Sequence, residues 1–171
     1  MATSVVFIVG LSPTEKDYAS LIAYIEKFYK ARLPVGTPLH VTRWDKDVVG
    51  EINEKFPNEN LVIVGFSFGG QKAVEVCSAL AKPIKKLILI DPVDYHNGGK
   101  PNTVGFTVPD NVASAACFYR EAKKIPWSSY ITKGGTEWFN KKYVPVSKNE
   151  AEGHGEYVWK PETMTLIKSA L

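Results

Sequence analysis

The stretch Leu61-Val62-Ile63-Val64-Gly65-Phe66-Ser67-Phe68-Gly69-Gly70 decides the fold. Its first four residues are a continuous apolar run, the pattern of a parallel strand covered on both faces. Gly65-Phe66-Ser67-Phe68-Gly69 then fits G-x-S-x-G, and the spacing predicts a helix over 70–81 that stops ahead of Pro83. A strand feeding a helix through this motif lifts a serine hydroxyl onto a sharp, strained turn. Ser67 must take a sparsely populated backbone conformation there, and side chains two residues to either side would clash. Ser67 also sits near a helix N-terminus, where the dipole favours developing negative charge. A glycine-rich turn of this kind can hold a phosphate instead. The sequence has neither G-x-G-x-x-G nor G-x-x-x-x-G-K-[ST].

Outward from this stretch, strands and helices alternate. Val5-Val6-Phe7-Ile8-Val9 reads as a first buried strand, followed by Gly10-Leu11. Ser12, Pro13 and Glu15 form a capping-box start, and Tyr18, Leu21, Ile22, Ile25 and Tyr29 recur at helical spacing. A second strand is expected over 39–43. Asp45 is the expected cap of a helix carrying Val48, Val49, Ile52 and Phe56. A fourth strand over 86–90 ends at Asp91-Pro92, and 93–111 is rich in Gly, Pro and Asn and reads as a loop. Further strands are expected over 112–119 and, on a proline-containing edge, 143–146. A last helix is expected over 161–171, with Met164 and Ile167 facing inward. This order predicts a single α/β domain over residues 1–171: a doubly wound, mostly parallel sheet of about six strands with helices on both faces.

Chemistry at Ser67 needs a base. The chain has three histidines. His40 starts the second strand, at the sheet edge away from the carboxyl ends where ligands sit. His96 follows the fourth strand, on the correct side. His154, between Gly153 and Gly155, fits the chain order serine, acid, histidine and is the preferred base, with His96 as its rival. The acid that orients the imidazole is expected to be Asp91, at the end of the fourth strand, with Glu121 and Asp94 as alternatives. Two backbone N–H groups must face the developing oxyanion. Phe68 supplies one and Leu11 the other, provided that the first strand is central and the chain reverses direction between strands one and three.

These residues resemble the α/β-hydrolases of the serine lipase and esterase kind. The likeness follows element order from Val5 to Leu171 and is specific at 65–70. It implies a serine hydrolase acting on a carboxylic ester through Ser67, Asp91 and His154, with no metal or organic cofactor. In most of that family the acid follows the strand two after the nucleophile, which would be Glu121. Ile90-Asp91-Pro92 is similar to the Asp-Pro pair of pancreatic-type lipases and favours Asp91. The family's first two strands are missing here, giving a chain as small as a cutinase. Val9-Gly10 stands where His-Gly is common, and Phe66 where His is common. A thioesterase or amidase, or a silent binding protein on the same scaffold, remains open.

Composition narrows the rest. Net charge is +3, and no basic cluster argues for nucleic acid. Two cysteines make no disulfide framework, and Cys77 and Cys117 read as buried thiols. No apolar run reaches the roughly 18 residues of a membrane span. Without a positive n-region or an h-region at the start, the expectation is a cytoplasmic protein or a chain whose leader has been removed. Trp127, Tyr130, Trp138, Phe139 and Tyr143, with a Gly134-Gly135 hairpin, read either as a wall over an acyl pocket or as a satellite apolar cluster. The small size predicts an open, shallow site for small or surface-presented esters.

Overall fold

Seven residues, Thr3–Val9 (β1), are buried without interruption and form the second strand of the sheet counted from its edge. The structure, a computed structural model, describes residues 1–96, 105–120, 130–132, 137–144, 146 and 150–171, without the side chains of 150–152. After β1 come α1 (Glu15–Lys30), β2 (Leu39–Arg43), α2 (Val48–Lys55), β3 (Asn60–Phe66), α3 (Phe68–Ala79) and β4 (Ile84–Ile90). They are followed by β5 (Ser114–Arg120), β6 (Glu137–Tyr143), α4 (Glu150–Gly155), a 3-10 turn (Glu156–Val158) and α5 (Pro161–Lys168). All adjacent strands are parallel, in the order β2-β1-β3-β4-β5-β6. The fold is the expected doubly wound α/β sheet. β1 lies between β2 and β3, so the chain reverses direction there and opens a crevice beyond the carboxyl ends of β1 and β3.

Each face of the sheet has its own core. Val6, Ile8, Ile63 and Leu89 pack against Val48 and Ile52 of α2 and Ala73, Val76 and Cys77 of α3. Val5, Phe7, Val64 and Ile90 pack against Tyr18, Ile25 and Tyr29 of α1 and Met164 and Ile167 of α5. Alternate residues of one strand thus serve opposite layers, which is why the strands read as unbroken apolar runs.

Several boundaries differ from the expectation. Thr14, not Ser12, caps α1 and accepts from Asp17 N at 3.2 Å. Asp47, not Asp45, caps α2 and accepts from Gly50 N at 3.0 Å. Asp45 is already held by Arg43, whose Nη2 lies 2.6 Å from its carboxylate. The sixth strand is Glu137–Tyr143, with Tyr143 its last residue, and not 143–146. Its side chains alternate poorly and mostly face solvent, as an edge strand permits. Trp138 and Phe139 belong to this edge strand, with Phe139 against Phe118 at 6.2 Å between centroids. Trp127, Gly134-Gly135 and Glu121 lie outside the described residues.

Candidate active site

Ser67 has φ 58° and ψ −126°, a left-handed conformation that a serine adopts only under constraint. The constraint comes from close packing on three sides. A Cβ on Gly69 would stand 2.0 Å from the Ile8 carbonyl oxygen, and one on Gly65 would stand 2.4 Å from the Gly69 oxygen. A Cβ on Gly10 would fall 2.5 Å from the Ser67 Cβ and 2.8 Å from Phe68 N. The loop after β1 therefore lies directly on the turn, bringing Gly10 beside the Phe68 backbone nitrogen. Phe68 opens α3, so its N–H has no carbonyl partner one helical turn back. The Leu11 side chain itself points outward and is 63% exposed.

Phe66 pairs in register with Ile90, which sets Ser67 beside Asp91, and Ser67 N donates to Ile90 O at 3.1 Å. The Ser67 carbonyl accepts from Gly70 N and Val93 N at 2.9 and 3.0 Å, tying the two turns together. Asp91 is fully buried, also at positive φ (45°), and its N–H donates to Phe118 O at 2.7 Å. Its Oδ2 is hydrogen-bonded to His154 Nδ1 and accepts from Arg120 Nε at 2.5 Å. Its Oδ1 has no partner among the described residues. The negative charge of Asp91 is felt nearby: the Cys117 thiol is pushed well up, by burial first and by Asp91 second, and Tyr143 is raised by the same two causes.

His154 is carried by the last turn of α4, a short helix that the glycines on either side of it argue against. Its ring lies 4.9 Å from that of Phe66. Three tyrosines hold this segment. The Tyr143 hydroxyl donates to Gly153 O at 3.4 Å, Tyr29 donates to Val158 O at 2.7 Å, and Tyr157 packs between Phe118 and Tyr143. Burial raises Tyr29 and Tyr143, so both keep the proton they donate.

Asp91, at the end of β4, thus lies beside the β3 turn that carries Ser67, and is hydrogen-bonded to His154 of α4. His40 and His96 are elsewhere: His40 Nε2 pairs with Glu51 at 2.9 Å, and His96 Nε2 with Glu75 at 2.8 Å. Sequence reasoning missed Arg120. It closes β5 with its side chain 2% exposed, and a lone arginine at a strand end carries no signal of burial. A surface depression of about 540 Å³, lined by Ser78, Lys82 and Asn111 among others, lies at the far end of α3 and holds none of these groups.

Among the described residues, no group of three or more His, Cys, Asp or Glu is placed to hold a metal ion, and no helix is long and apolar enough to cross a membrane.

No family model matches the sequence, and no curated protein matches it. Among solved structures, the chain is similar to a protein of Pectobacterium atrosepticum provisionally described as a YdeN-like hydrolase. The identity is 14%, with 99% of this chain and 90% of that one covered, at a TM-score of 0.49.

Proposed function

We propose that this chain is a serine hydrolase that cleaves carboxylic esters through an acyl-enzyme. The observation that carries the reading is the His154–Asp91 hydrogen bond beside a serine held at positive φ on a strand-to-helix turn. With Nδ1 donating to Asp91, the imidazole leaves Nε2 to accept a proton. In this reading Ser67 Oγ attacks the ester carbonyl as its proton passes to Nε2. The carbonyl oxygen becomes an oxyanion facing the N–H groups of Leu11 and Phe68. The imidazolium, stabilised by the buried Asp91 carboxylate, returns the proton to the departing alkoxide. Water then repeats the sequence on the acyl-Ser67 ester and releases the acid.

Labelling by a fluorescent fluorophosphonate tests this. The wild type and His96→Ala are expected to label, whereas Ser67→Ala and His154→Ala lose it, by roughly a hundredfold or more. Folded wild-type protein that does not label refutes the reading. A panel of esters, thioesters and amides sharing one acyl group then identifies the bond cleaved.

A further inference from the structure

We propose that Trp44, Phe68 and Tyr95 form a subsite for an aromatic acyl group, so that the preferred substrates are esters of arenecarboxylic acids. Its assignment to the acyl side of an ester rests on Ser67 being the nucleophile; the binding of an aromatic ring does not.

The three rings come from separate segments: Trp44 follows β2, Phe68 follows Ser67, and Tyr95 lies in the loop after β4. They meet at the carboxyl edge of the sheet. Trp44 lies 5.3 Å from Phe68, edge to face, and 5.0 Å from Tyr95, while Phe68 and Tyr95 are 5.8 Å apart. All three are only half-buried, unlike the core aromatics beneath them.

Their polar tips are occupied. Trp44 Nε1 donates to the Tyr18 hydroxyl at 3.0 Å, and the Tyr95 hydroxyl donates to the Glu75 carboxylate. Glu75 is itself held by Gln71 Nε2 at 3.1 Å and His96 Nε2 at 2.8 Å, and Tyr95 N donates to Gln71 Oε1 at 2.8 Å. What the cluster offers to a ligand is therefore carbon, in fixed and mutually tilted rings. Such an arrangement accepts a further ring edge-on or offset. Arg43 is close by, but Asp45 and Glu15 already hold its guanidinium, so this arginine is not a spare cation for a charged ligand.

Orientation selects the acyl group over the alcohol. Phe66, before Ser67, faces His154, and Phe68, after it, faces Trp44 and Tyr95. The leaving oxygen must lie where His154 can protonate it. The acyl substituent then points away from His154, towards Trp44 and Tyr95.

The test compares methyl benzoate with methyl hexanoate, which share a leaving group. In the wild type, kcat/KM is expected to be higher for the benzoate. Trp44→Ala lowers it by roughly tenfold, mainly through KM, while changing hexanoate by less than about twofold, and Trp44→Phe restores most of the loss. Equal losses on both esters, or no benzoate preference in the wild type, overturn the subsite. Calorimetric titration of Ser67→Ala with the two esters reads binding without turnover. Tighter benzoate binding that disappears in Trp44→Ala/Ser67→Ala supports the subsite even if fluorophosphonate labelling has refuted the nucleophile, and equal binding of both esters overturns it. Melting curves of each variant establish that it is folded.

Discussion

Asp91, itself out of contact with solvent, accepts two strong donors on a single oxygen, from Arg120 and His154. A carboxylate in that position is tolerable only because it is paired. Removing Arg120 would leave the charge in a low-dielectric environment with a single, partly exposed partner. Arg120→Ala is therefore expected to lower unfolding free energy by about 3–5 kcal/mol, read from the urea midpoint. Arg120→Lys keeps the charge but not the planar fork, and should lie between the two. If Arg120→Ala unfolds at the wild-type midpoint, the pair contributes nothing and Asp91 is satisfied some other way. Arginine here was invisible to sequence reading because its neighbours, Phe118-Tyr119, only indicate a strand. The partnership is formed across the sheet by residues 29 positions apart.

At the scale of elements, the junction of β1, β3 and α3 is a contact of backbone on backbone. Gly69 touches the Ile8 carbonyl and Gly70 touches Pro92, whose Cβ would be 2.4 Å from a Cβ on Gly70. Because backbone cannot step aside as a side-chain tip can, Gly69→Ala should force β1 and α3 apart. The expected loss is about 2–4 kcal/mol, together with labelling at Ser67, measured by thermal melts and fluorophosphonate on the same sample. Retention of both would mean that the helix can slide without disturbing the turn. This junction was the most legible part of the sequence, because every requirement of the turn is met by adjacent residues. Helix caps were less legible. Ser12 and Thr14, or Asp45 and Asp47, carry the same local signal; in the second pair Asp45 is taken up by Arg43, two residues before it, and Asp47 caps the helix. The edge strand was misplaced for a related reason. Tyr143-Val144-Pro145-Val146 is more apolar than Glu-Trp-Phe-Asn-Lys-Lys-Tyr, but pairing with β5, not apolarity, selects an exposed edge. His154 was preferred on chain order, yet its helix was not foreseen, since glycines on both sides argue against one.

Over the whole molecule, the two cores keep several acids protonated. Burial raises the thiols Cys77 and Cys117 above their ordinary 9.0, and the phenols Tyr29 and Tyr143 above their ordinary 10.0. The unfolded chain releases these protons first, so the native state binds more of them and stability falls as pH rises past 9. Two thiols alone account for up to about 2.7 kcal/mol per pH unit there, and the phenols add to this above 10. Urea midpoints from pH 8 to 11 should drop accordingly, and Cys77→Ala should flatten the fall between 9 and 10; a midpoint independent of pH would contradict this account. The strand order also has a meaning in time. Ser67 and its turn leave the ribosome shortly before Asp91, and both leave it well before His154. His154 lies 63 positions beyond Asp91. At ~5–20 residues per second, the nascent chain carries the turn and its acid for roughly 3–13 s before the histidine is even synthesised. Whatever reactivity the serine has is thus delayed until translation of this stretch is nearly finished.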